Sequence, residues 1–326
     1  RIYVPGYLTY RGREYGPVGI RLKGQNSFQP IDNKPSFRIN IDEYVNPAKF
    51  FNLDDMTLNN MNDDFSMMHE RLGYWVARQT GPASRSNHAM VTLNGEPYGV
   101  YANVETVKSH MLQHWFEDEH GSLFEATDVD FRPEFVEAYE VQDGPGDRTL
   151  IEQLASALQN PSPDLAMTAA AEFVDMDAFL QFWATCAVIA QFDSFPYSDP
   201  GDDYFAYANP TDNKLHFLPW GMDETFYSAT YDVLQVRSIL ATTCLASPAC
   251  KQQIVDKIWQ TLELLESLDW AAERVRIIEQ MSPHMLADSN KPYTNAEVTE
   301  YQTQLRYFIE GRRTSFTEML PPKSQP

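Results

Sequence analysis

The chain has 326 residues, 43% hydrophobic and 13% aromatic, a composition that folds and buries a large core as one domain or two lobes. Its 25 basic against 46 acidic residues give a net charge of −21, which argues against nucleic acid or an anionic membrane as the main partner. No run reaches the roughly 18 apolar residues of a membrane span, so no transmembrane segment is expected, and a chain opening at Arg1 reads as a processed piece whose targeting signal is missing.

Val18–Lys23 and Ser36–Ile41 alternate as half-buried strands do, around a polar loop from Gly24 to Pro30. Arg21, Lys23, Lys34 and Arg38 cluster here. A locally positive pocket in an acidic chain suits an anion such as phosphate; the alternative is outward strand residues balancing nearby acids. Asp64 or Ser66 caps a helix from Met67 to Thr80 that carries Glu70 and Arg71 and ends at Gly81-Pro82. Asn94-Gly95, between Ala89–Leu93 and Tyr98–Val104, signals a hairpin, and a second helix is expected over Thr106–Glu117.

Glu117 to Asp147 holds eleven acidic residues against Arg132, and reads as a solvated insertion more than as a cation site. Gly144-Pro145-Gly146 marks the expected boundary between an N-terminal lobe (1–147) and a helical C-terminal lobe (148–326). Phe173–Ala190, apolar nearly all round, predicts a buried helix. Lys251–Leu268 and Trp270–Met281 are amphipathic, Thr294 with Glu297 fits a capping box opening a helix to about Met319, and Pro321–Pro326 is expected to fray. Cys186 reads as a buried thiol, while Cys244 and Cys250 are either a small disulfide-closed loop or two free thiols.

The chemistry concentrates between Gln191 and Phe226. An acidic loop with Asp193, Asp202 and Asp203 leads into short strands, Tyr204–Ala208 and Leu215–Pro219, and then into Trp220-Gly221-Met222-Asp223. A hairpin between these acids brings Asp193, Asp203 and Asp223 together, and three converging carboxylates call for a hard cation, Mg²⁺ or Ca²⁺. In protein kinases one Asp takes the substrate hydroxyl proton, while a polar residue and an Asp beyond a hairpin hold the metal. The plainer alternative is a run of solvated loop aspartates. No Gly-x-Ser-x-Gly elbow, phosphate-binding Gly loop or His-x-x-x-His pair is present, and nothing singles out a glycosidase acid.

Three stretches together resemble the CotH family, the spore-coat-protein-H-like atypical kinases. Gly19–Ser27 with Lys34–Ile39 is similar to its "RxRGxSS…KxSYRI" opening, and Asn94–Tyr101 with Glu105 to its "NGxxxGVYxxxE" hairpin. Asp193-Ser194-Phe195, Asp202–Tyr207 and Pro219–Phe226 resemble "D…NNYYLY…PWDLDxTF". The resemblance implies an α+β, two-lobed, atypical protein-kinase-like fold: an N-terminal lobe with an antiparallel sheet and a mostly helical C-terminal lobe. It implies a secreted or surface enzyme using ATP and Mg²⁺ or Mn²⁺ to phosphorylate Ser or Thr of a protein substrate. Carried over, Asp193 is the base, Asp203 and Asp223 hold metal, Lys34 with Arg21 faces the phosphates, and Glu105 borders the nucleoside. Two positions depart from the pattern: Asp203 replaces the family's Asn, and Gly221 replaces the first Asp of "WDLD". A catalytically weak or silent binding or adhesion module, and an acidic Ca²⁺-binding structural domain, are the alternatives.

Overall fold

A computed structural model describes residues 2–24 and 27–324. Gln25 and Asn26 of the expected polar loop, and the last two residues of the expected frayed tail, lie outside them. Six antiparallel strands form the first sheet: β1 (Val4–Tyr10), β2 (Arg13–Lys23), β3 (Ser36–Asn40), β4 (Asp55–Asn59), β5 (Ser86–Leu93) and β6 (Glu96–Val104), in the order β1-β2-β3-β4-β6-β5. The hairpin signal is met: Asn94 (φ 53°) and Gly95 (φ 91°) form the left-handed turn that lets β5 fold back on β6.

The helix expected over Met67–Thr80 is α1 (His69–Thr80). The one expected over Thr106–Glu117 reduces to α2 (Ser109–Leu112). There, tertiary contacts claim the aromatics that were to continue it. Trp115 Nε1 donates to Ala83 O (3.2 Å), and the Phe116 ring packs on Tyr207 at 4.8 Å.

The acidic stretch 117–147 is not a solvated insertion. It supplies β7 (Ser122–Ala126) and β8 (Glu140–Asp143) and buries Phe124, Phe131 and Tyr139, and with them Asp130, which accepts from Arg132 and from the Ile239 N–H. A second antiparallel sheet runs β10-β9-β7-β8, with β9 (Tyr204–Asn209) and β10 (Lys214–Pro219) forming the predicted hairpin. This sheet takes two strands from each side of residue 147.

Helices α3 (Thr149–Ala157), α4 (Pro163–Ala170), α5 (Met176–Ile189), α6 (Ile239–Ala246), α7 (Pro248–Ser267), α8 (Trp270–Ala287) and α9 (Asn295–Met319) complete the helical part. Buried residues of α5 line the main core beside α1, α7 and β10. A Thr294–Glu297 capping box opens α9. Cys244 and Cys250 are disulfide-bonded, and burial pushes the free Cys186 thiol up to about 12. The tail is tied down rather than frayed as far as Ser324: Lys323 pairs with Glu263 (2.7 Å), and the Ser324 N–H donates to Asp256 (2.8 Å). None of the helices among the described residues is long and apolar enough to cross a membrane.

Candidate active site

The N-cap of α1 is Met68, without a side-chain cap of its own, and the two expected caps, Asp64 and Ser66, accept N–H groups there from further upstream. The Met68 N–H donates to Asp64 Oδ1 (3.2 Å) and Ser66 Oγ (3.1 Å), and the Glu70 N–H donates to Asp64 Oδ2 (3.3 Å). This fixes the first turn and buries Glu70 to 1% exposure. One turn further on, Gly73 allows close approach: a Cβ there would lie 3.0 Å from Met222 Cβ. Helix α1 therefore rests on the 3-10 turn Met222–Glu224 that carries Asp223. His69 Nδ1 lies 3.2 Å from the Asp223 carbonyl, and burial lowers its pKa, so the neutral ring donates to that oxygen.

The β9–β10 hairpin carries two of the three expected acids at its ends. Asp203 stands at its entrance and Asp223 just past its exit. The carboxyl of Asp203 is pushed well above the ordinary range by burial, then by the charges of Asp223 and Asp193. Burial, with Asp64 nearby, pushes Asp223 up to about 6, and burial does the same for Asp202. Asp193 is exposed on the loop after α5, where Ser198 Oγ donates to its Oδ1 (3.1 Å). A cavity of about 360 Å³ opens beside it, lined by Phe192, Tyr197 and Tyr231 along with Asp128 and Asp202. A second cavity, of about 310 Å³ between α1, α5 and β10, is lined by none of these acids.

The basic partner of the cluster is Lys23, one of the four clustered basic residues. Alternation along β2 puts Arg21 and Lys23 on one face, and the β2–β3 register sets Arg21 opposite Arg38. Lys23 Nζ donates to Asn59 Oδ1 (2.7 Å), and Asn59 Nδ2 in turn donates to Glu70. Burial lowers the pKa of Lys23 against the opposing pull of Glu70 and Asp223. Burial, then Asp223, raises Glu70 well above the ordinary carboxylate range. Arg21, Lys23 and Arg38 all act on Glu125 of β7, so this basic face looks across at the second sheet.

Two residues expected to face the cofactor keep other company. Lys34 is buried and paired with Asp288 at 2.8 Å, with 4% and 1% of the two side chains exposed. Its neighbour there is the Tyr101 ring, 5.3 Å away. Lys34 has a left-handed backbone (φ 49°) beyond the end of β2, so strand alternation does not carry it to the face of Arg21 and Lys23. Glu105 is bonded by Arg85, whose backbone N–H and Nε each donate to Oε2 at 3.0 Å, tying the start of β5 to the end of β6. The signal that separates Lys23 from Lys34 was present as strand parity: two residues after Arg21, it shares that residue's face.

Several buried polar atoms have no protein partner: Glu70 Oε2, Tyr74 Oη and Gln191 Oε1. The Tyr74 hydroxyl is raised by burial and then by Glu70, Asp203 and Asp223, so it belongs to the same cluster. Acids that raise one another's pKa beside orphaned oxygens make a hard, oxygen-rich donor set, which fits a divalent cation such as Mg²⁺ or Mn²⁺.

The CotH kinase protein family model matches residues 20–316. Among solved structures, the chain is similar to the crystal structure of a Helicobacter pylori proinflammatory kinase, CtkA, at 10% identity and a TM-score of 0.39, covering 92% of this chain and 94% of that one. No curated protein matches it. The matched region begins within β2 and ends in α9, and so contains the second sheet, the first sheet apart from β1 and the start of β2, α1 and the acidic cluster. The chain belongs to the CotH kinase family.

Proposed function

We propose that this kinase-family protein transfers the γ-phosphoryl group of ATP, with Mg²⁺ or Mn²⁺, to a Ser or Thr hydroxyl of a protein substrate. The observation that carries the reading is the pair Asp203 and Asp223 at the two ends of one hairpin, where burial and the charges of Asp223 and Asp193 raise Asp203, with Glu70 and Lys23 feeling the charge of Asp223. Asp203 and Asp223 would hold the cation, which when bound neutralises charge on the phosphates. Asp193, solvent-facing beside the 360 Å³ cavity, accepts the acceptor hydroxyl's proton. Lys23, steadied through Asn59 by Glu70, takes the phosphate-facing role in place of Lys34, and Arg21 adds positive potential on the same strand face. Phosphoryl transfer gains mainly from positioning and charge stabilisation, which is what this arrangement offers. A secreted or surface location is supported by the Cys244–Cys250 disulfide, which persists in oxidising compartments.

The test is transfer of labelled γ-phosphate from ATP, with Mg²⁺ and with Mn²⁺, to generic protein substrates and to the chain itself. Wild type is compared with Asp223→Ala and Lys23→Met. Labelling that disappears in both variants, while Lys34→Met retains it, is the expected result. No labelling of any protein, together with no ATP-dependent rise in melting temperature, would leave the binding-module alternative in its place.

A further inference from the structure

Asp203 and Gly221, at the entrance and exit of the β9–β10 hairpin, are in contact. Gly221 has left-handed backbone angles (φ 57°, ψ 57°), and a Cβ built on it would lie 1.9 Å from Asp203 Oδ2 and 2.2 Å from its Cγ. The Asp203 carboxylate thus occupies the space in which a side chain at position 221 would begin. Retreat of the residue 221 backbone is blocked. Gln191, fully buried, donates Nε2 to the carbonyls of Trp220 (3.0 Å) and Gly221 (2.8 Å), and the Trp220 N–H donates to Asp203 O (3.1 Å). Any side chain at 221 therefore has to expel the Asp203 carboxylate from its place beside Asp223.

We infer that Asp203 and Gly221 are one coupled pair, in which a carboxylate of the cation site is delivered from the start of β9 and Gly221 leaves the space that admits it. The inference rests on the proposed cation site. Glycine is required at 221 for the room it leaves. The left-handed backbone there adds strain for any other residue, least for Asp and Asn.

The experiment is Mn²⁺ binding to the full chain, read by calorimetry without nucleotide, with melting in EDTA as the check on folding. Asp203→Ala is expected to weaken Mn²⁺ at least about tenfold, as loss of a ligand does. Gly221→Ala is expected to weaken it equally, by displacing Asp203, and the double variant Asp203→Ala/Gly221→Ala no further than either alone. Asp203→Ala/Gly221→Asp, which returns a carboxylate to the vacated space, is expected to recover most of the affinity. Additive losses in the first pair, or a folded second double variant with no recovery, would overturn the coupling. If Gly221→Ala alone does not fold, that recovery decides the matter. Failure of the underlying cation site reads differently: wild type itself would not bind Mn²⁺, or Asp223→Ala would leave binding intact, and the inference would fall with it.

Discussion

Asp223→Asn tests the electrostatics of the site without any substrate. Burial among acids raises the Asp223 carboxyl from its ordinary 3.8 to about 6. At about 1.4 kcal/mol per tenfold change, that corresponds to about 3 kcal/mol, an upper figure because the side chain keeps some contact with solvent. The sign follows from proton binding. The folded state holds a proton that the unfolded chain has already released, so metal-free stability falls as pH rises from about 4 to about 6. Asn does not titrate. In EDTA, the stability difference between Asp223→Asn and wild type is expected to shift in the variant's favour by up to about 3 kcal/mol between about pH 4 and pH 7. With about 2.1 cal/mol/K of unfolding entropy per residue over 326 residues, that is about 4 °C in melting temperature. Adding Mn²⁺ at pH 7 should raise the wild-type melting temperature and leave the variant's unchanged. Thermal melting across that pH range, with EDTA and with Mn²⁺, measures both. A difference that is flat with pH, or one that moves toward wild type as pH rises, would refute the account of a charge-strained cation site.

Lys34→Met strips the buried Asp288 of its ion-pair partner, which should cost about 3–5 kcal/mol, seen as a lower melting temperature with Mn²⁺ affinity unchanged, since the pair stands apart from the acidic cluster; a large loss of Mn²⁺ binding in folded protein would return Lys34 to the site. Replacing Cys244 and Cys250 with Ser opens a loop of sequence separation 6 and should cost about 2 kcal/mol by loop-closure entropy, with reductant lowering the wild-type melting temperature by the same amount and leaving the variant untouched.

Residues close in sequence were the legible part of the site. Asp203 and Asp223 flank one hairpin, and their convergence follows from the period-two alternation of Tyr204–Ala208 and Leu215–Pro219 and from the turn between them. The caps of α1 and α9, the Asn94-Gly95 hairpin and the buried α5 are likewise local signals, each expressed within a few residues. Lys23 was legible as one of four clustered basic residues and, by strand parity, as sharing the face of Arg21. What singles it out is Asn59 and Glu70, from β4 and α1, meeting it across the first sheet. Lys34 was drawn elsewhere by Asp288, 254 positions later, a partner that local pattern does not reveal.

The sequence by itself therefore determined the α+β class, the family, and the acids that gather around the hairpin, because hydrophobic period, turn chemistry and motif order act at short range. Tertiary structure alone decided which lysine faces the acids, that the acidic stretch 117–147 builds a sheet, and that Gly221 makes room for Asp203. Each of these depends on which distant groups share one buried volume. Excluded volume and desolvation act between segments the chain brings together only when it folds.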